Sequence, residues 1–123
     1  MINSSITKRI LLVLLFALTL VSCEKIEGIP LLLPSAAEPS AKNHNDRGIE
    51  YFHKAKYMDA LVAFTQASVA DNTAGEIHFN LALMQHQLDK HDEAEDHFKL
   101  ARKFADGNEK ILESALLKKY LDQ

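Results

Sequence analysis

The feature that most constrains the fold is an internal repeat at an offset of 34 residues. The spacing A-x3-F-x2-A occurs twice, with members Ala60, Phe64 and Ala67, then Ala94, Phe98 and Ala101. Small residues at helical spacing let two helices cross closely, and an aromatic ring between them fills the space toward a neighbouring pair. Repeats of this length are typical of stacked units that each bury part of the next.

The repeat resembles the tetratricopeptide family, whose unit is a helix–turn–helix. Gly48 and Ala82 take its small position 8, and Tyr51 its aromatic position 11, on copies at about 41–74 and 75–108. Several positions depart from the family pattern: His44, Asn72, His78, Gln85, His91 and Asp106. The resemblance implies an all-α, short helix–turn–helix solenoid of two repeats plus a C-terminal capping helix.

We expect five helices, at about 44–54, 57–70, 75–88, 91–104 and 109–121, the last being the cap. Apolar residues lie on one stripe of each segment, as an amphipathic helix requires. Two repeats and a cap bury only a modest core, since three or more repeats are the usual need. Homodimerisation or help from the segment before the repeats would supply the rest.

The N-terminus has the pattern of a secretory signal peptide. Lys8 and Arg9 precede an uncharged, mostly apolar run of 12 residues, 10–21, which is too short to span a membrane. Leu20-Val21-Ser22-Cys23 resembles the lipobox of bacterial lipoproteins. The resemblance implies cleavage before Cys23, a diacylglycerol thioether on its sulfur, and a fatty acyl group such as palmitate on the new amine. Cys23 is the only cysteine in the chain.

These observations divide the chain into a signal peptide (1–22), a lipidated cysteine with a Pro-containing tether (23–43) and a repeat domain (44–123). The lipobox implies a lipid-anchored protein of the bacterial cell envelope on the periplasmic face. In the sorting rule of such lipoproteins, Asp after the cysteine favours the inner membrane, and its absence here, where Glu24 follows, slightly favours the outer membrane. As a random coil, a tether of this length would span roughly 25 Å and let the domain stand clear of the membrane.

The segment Ile29-Pro30-Leu31-Leu32-Leu33-Pro34 is too apolar for a solvated tether. Three interpretations are open. The segment contacts the membrane near the lipidated cysteine, it folds back into a groove of its own domain, or it binds a partner.

Composition excludes several functions. A net charge of −3 gives no support to nucleic-acid binding, and one cysteine excludes a disulfide framework. The chain has neither a Gly-rich phosphate loop nor a Gly-x-Ser-x-Gly nucleophile motif, so we expect no enzyme and no cofactor beyond the lipid. Its six histidines form no HExxH motif, and the acidic run 89–96 lies where a helix begins and favours carboxylates. We therefore predict no metal site.

In the family, the first helix of each pair lines a concave protein-binding surface. Carried over, that surface consists of Asn45, Ile49, Phe52, His53, Phe79, Leu83, His86, Gln87 and Leu117. An apolar centre with polar edges favours a protein or peptide partner. The predicted function is therefore a membrane-anchored interaction adaptor or assembly factor, for example in envelope, pilus or secretion assembly.

Three alternatives remain. The apolar groove residues could be core, the histidines could form a metal-binding module, or the protein could be structural, with its groove filled by its own tether.

Overall fold

The computed structural model describes residues 3–6 and 27–123. From residue 27 onward the described part is all-helical. Its helices are α1 (Pro39–His53), α2 (Tyr57–Ala70), α3 (Gly75–Gln87), α4 (His91–Lys103), α5 (Glu109–Leu112) and α6 (Ala115–Leu121). Helices α1 and α2 form one packed pair and α3 and α4 the next, while α2 packs on α3. The predicted all-α arrangement of adjacent helix pairs is confirmed.

The 34-residue repeat is also visible in the backbone of the turn within each pair. Ala55 and Asp89 are 34 positions apart, and both adopt a left-handed conformation, with φ of 56° and 59°. The Lys56 amide donates to the Tyr51 carbonyl at 3.0 Å, and the Lys90 amide donates to the Gln85 carbonyl at 2.8 Å. Bonds of this kind satisfy the last carbonyls of a helix, so both pairs turn in the same way.

The core lies where the sequence repeat places it. The six members of the A-x3-F-x2-A spacing are all fully buried. Helix α3 is the most enclosed element, because every residue from Gly75 to Gln85 is buried. It is covered by α2 and α4 and also contacts α5. A helix surrounded in this way has little amphipathic character, and its polar residues need partners inside the protein.

Two helix boundaries differ from the sequence prediction. Helix α1 begins at Pro39 rather than near 44. The Glu38 side chain accepts a hydrogen bond from the Ala41 amide at 2.6 Å, and proline suits the first helical position. The predicted capping helix 109–121 is two helices, because Ser114 caps α6 by accepting from the Leu117 amide at 3.3 Å. The break lets both Ile111 and Leu117 reach the core.

Within the described residues, no helix is both long and apolar enough to cross a membrane. The predicted cleavage site and Cys23 lie outside the described residues.

Gly48 lies at a close contact between α1 and α2. A β-carbon built on it would lie 2.5–2.8 Å from three ring atoms of Phe64, which is itself fully buried. We expect Gly48→Ala to lower the free energy of unfolding by about 1–3 kcal/mol, because overpacking outweighs alanine's better helix propensity. Urea unfolding would measure the loss, and Gly48→Ala with Phe64→Leu should recover part of it. An unchanged or higher stability for the single variant would show that the two helices are not so closely packed.

Candidate interaction groove

The surface formed by α1 and α3, which we call the groove, holds residues 27–33 of the same chain, the groove segment. Two asparagines, one from each helix, bind the backbone of Leu31. The Leu31 amide donates to Asn80 Oδ1 at 2.6 Å. The Leu31 carbonyl accepts from Asn80 Nδ2 at 2.8 Å and from Asn45 Nδ2 at 3.0 Å. A second proton of Asn80 Nδ2 goes to Asn45 Oδ1, at 2.8 Å.

Both asparagines are fully buried. A buried amide without partners would be energetically costly, so the burial of both side chains depends on the extended backbone that they both bind. The two side chains and Leu31 together form one closed hydrogen-bonded unit that connects the first helix pair to the second.

Side chains of the groove segment are buried and exposed in turn from Leu31 to Leu33, and Pro30 is also buried. Leu31 and Leu33 are 8% and 5% exposed and belong to the hydrophobic core, whereas Ile29 and Leu32 are each 68% exposed. Gly28 lies against Leu83 of α3, since a β-carbon there would be 3.3 Å from Leu83 Cδ1. The segment therefore lies in the groove of its own domain, which is the second of the three arrangements that its composition left open.

The residues predicted to line the groove fall into three classes. Asn45, Phe52, Phe79, Leu83 and Leu117 are buried, and all but Asn45 are in the core cluster that includes Leu31 and Leu33. Ile49, His86 and Gln87 are half-buried, and His53 is exposed. The apolar members thus contact the core, while Asn45 directly binds the groove segment.

Sequence reasoning missed Asn80. The signal that could have found it is an asparagine inside the apolar run of α3, Phe79 to Met84, where a helix buried on all sides would leave the amide without water. A buried amide at such a position requires a polar partner, and an extended backbone supplies one donor and one acceptor per residue.

A cleft of about 700 Å³ lies beside the groove segment. Its lining includes Ile29, Leu32, Phe79, Lys110 and Ala115, so the exposed side chains of the segment face α5 and α6 across it. The segment fills the part of the groove between α1 and α3 and leaves this part open.

The Tyr120 hydroxyl connects two histidines at one end of the groove. It lies 2.8 Å from Nδ1 of His86 and 2.8 Å from Nδ1 of His91, so it donates to one ring and accepts from the other. Glu27 Oε2 lies 3.6 Å from His86 Nε2 and 3.4 Å from Lys119 Nζ, which joins the start of the groove segment to α3 and α6. Burial lowers the pKa of His86 and outweighs the attraction of Glu27, and burial also raises the pKa of Tyr120.

A second histidine pair joins α3 to α4. His78 Nε2 lies 2.8 Å from the Asn72 carbonyl, so it carries the proton and donates. His78 Nδ1 is then the acceptor for the Nδ1–H of His97, at 3.1 Å. Burial lowers the pKa of His97, and the neighbouring His78 lowers it further.

This pair predicts a loss of stability in mild acid. A histidine whose pKa is lowered by folding binds protons more readily in the unfolded chain. The free energy of unfolding should therefore decrease as the pH falls through 6.5, the ordinary histidine value, toward the lowered pKa of His97. His86 acts in the same direction.

Thermal unfolding at a series of pH values would measure this effect. His97→Gln should flatten the profile, while His53→Gln, at an exposed position, should leave it unchanged. Equal pH dependence in the two variants would contradict the assignment.

Among the residues that the structure describes, no three His, Cys, Asp or Glu side chains are grouped as a metal ion would require. Comparisons of the chain with protein-family models, with curated proteins and with solved structures found no match.

Proposed function

We propose that the protein is a lipid-anchored interaction module of the bacterial cell envelope, with no enzymatic activity, whose groove binds an extended apolar stretch of polypeptide. The observation that carries this proposal is the pair of asparagines on Leu31. Asn80 binds both the amide and the carbonyl of one residue, and Asn45 binds the carbonyl from the other helix. These bonds recognise an extended backbone and place no demand on the side chain of that residue.

Selectivity comes from the side chains on either side of the backbone contact. Leu31 and Leu33 enter the core while Leu32 remains outside, so the groove accepts two apolar residues separated by one. Such alternation is what an extended chain presents to a surface. The ligand class is therefore an extended segment with leucine-like residues at alternate positions.

The groove segment is itself such a ligand. Because it is covalently joined to α1, its effective concentration at the groove is of the order of millimolar or higher. A partner binds there by displacing it. The anchoring half of the proposal rests on the lipobox, Leu20 to Cys23, and the intact mass of the mature N-terminus would test it. Globomycin treatment that left mass and localisation unchanged would refute it.

The groove is tested by supplying the segment in trans. In a variant with Leu31→Ser and Leu33→Ser the covalent segment no longer fits, and a fluorescent peptide of sequence EGIPLLLP, which matches residues 27–34, should bind the vacated groove. The unaltered protein should bind the peptide far more weakly. The control is a matched peptide in which serine replaces the two leucines that correspond to Leu31 and Leu33.

One observation favours a structural role for the segment instead. Leu31 and Leu33 belong to the same hydrophobic core as Phe64 and Phe98. If the variant is unfolded by circular dichroism and the peptide does not restore its helix content, the segment is a permanent part of the fold. If the peptide restores folding, or binds a folded variant, the groove is a peptide site.

A further inference from the structure

We infer that the face carrying Ile29 and Leu32 is seated on the lipid bilayer, so that the domain is held at the membrane in one orientation rather than on a long tether. This inference rests on the proposed lipidation of Cys23. The inference concerns the exposed face of the groove segment. It does not depend on whether the groove also binds a peptide partner.

Only a short length of chain lies between the lipidated cysteine and the folded domain. Cys23 and Glu27 are four residues apart, and a fully extended chain spans at most about 3.6 Å per residue. The cysteine therefore lies within about 14 Å of Glu27. The groove segment is fixed to the domain at Leu31, so most of the predicted tether does not separate the domain from the membrane.

The surface close to the anchor is apolar. Ile29 and Leu32 are each 68% exposed, although they flank side chains that are buried. Both line the open cleft with Lys110, Ser114 and Ala115, so they are presented on one side of the molecule. Two large apolar side chains beside a lipid anchor add a second membrane contact, whose strength scales with the apolar area that it buries.

The charges described around this face are compatible with a bilayer surface. Lys110 lines the cleft, and its long apolar stem can lie along the bilayer surface while the ammonium group reaches lipid phosphates. Glu27, the first acidic residue of the groove segment, has Lys119 Nζ at 3.4 Å. Pairing with this lysine reduces repulsion of the Glu27 carboxylate by anionic lipids.

The test measures which residues approach the bilayer in the full-length, lipidated protein. Two variants, Ala115→Cys in the cleft and Val69→Cys on α2, would be labelled with an environment-sensitive fluorophore on the introduced thiol. Both positions are exposed, and Val69 does not line the cleft. The proteins are reconstituted in vesicles of phosphatidylethanolamine and phosphatidylglycerol that contain a spin-labelled lipid. The label at 115 should lose most of its fluorescence, and the label at 69 should keep most of it.

Matched substitutions separate the surface from the anchor. Ile29→Ser with Leu32→Ser should restore much of the fluorescence at 115, because the apolar contact is lost. Met58→Ser with Val62→Ser changes two similarly exposed side chains on α2, at 57% and 53%, and should have no effect. Loss of quenching in both pairs, or in neither, would overturn the inference.

The remaining outcomes are distinguished by the mass of the protein and by the pattern of quenching. A Cys23 without its lipid refutes the anchor, and with it this inference. A lipidated protein whose two labels are quenched equally refutes the orientation alone. A label at 115 that is shielded from a water-soluble quencher but not quenched by the lipid shows that a second copy or another protein covers the face, and also overturns the inference.

Discussion

Replacing Asn80 with leucine is expected to lower the free energy of unfolding by about 2–4 kcal/mol, since two buried polar groups lose their partners. The Leu31 amide would lose its acceptor and Asn45 Oδ1 its donor, while the Leu31 carbonyl would keep only the Asn45 bond. Leucine keeps the branching and the number of side-chain heavy atoms of asparagine, so the variant removes the hydrogen bonds while largely retaining the shape of the side chain. Chemical denaturation, followed by circular dichroism, would give the value.

The matched control for this substitution is Asn43→Leu, which places the same side chain at an exposed position of α1. Surface changes of this kind alter stability by no more than about 0.5 kcal/mol. Similar stability of the two variants would show that Asn80 does not hold the groove segment. A second readout is proteolysis, because the segment should become sensitive to cleavage in Asn80→Leu and remain resistant in Asn43→Leu.

Phe98→Ala is expected to lower the free energy of unfolding by about 3–5 kcal/mol. Phe98 is fully buried, and its ring lies 5.8 Å from that of Phe79 and 4.9 Å from that of Tyr120. Removing it opens a cavity where α4 meets both α3 and α6. Since Tyr120 also bonds His86 and His91, the loss should extend to the C-terminal cap.

The control for Phe98→Ala is Val69→Ala, at a position that is 85% exposed. That variant should unfold with nearly the stability of the unaltered protein. Exchange of the amide protons of α6 should accelerate in Phe98→Ala more than exchange in α1. Equal acceleration in α1 and α6 would mean that the chain unfolds as one unit and that Phe98 does not specifically retain the cap.

The helix pairs could be predicted from the sequence because the pattern that specifies them is local and occurs twice. The small residues and Phe64 and Phe98 recur at a fixed offset, and helical spacing determines which of them meet. The first residue of α1 was harder to predict, because Glu38 and Pro39 lie in a stretch whose prolines suggest a linker. A cap of this kind is recognised only when the following residues are seen to pack.

The occupant of the groove could not be settled from the sequence, because the decisive contacts are long-range. Leu31 and Asn80 are 49 residues apart. An apolar run flanked by prolines has the same appearance whether it meets a membrane, a partner or its own domain. The buried asparagines carry the missing information, since a satisfied amide in the core requires a backbone nearby.

Hydrogen exchange at the Leu31 amide decides whether residues 27–33 occupy the groove of their own domain. Its amide donates to a fully buried asparagine at 2.6 Å. We expect this amide to exchange as slowly as the core amides of α3, and we expect Asn80→Leu to abolish the protection. Exchange of the Leu31 amide at the rate of an unstructured chain, while α3 stays protected, would show that the segment does not occupy the groove.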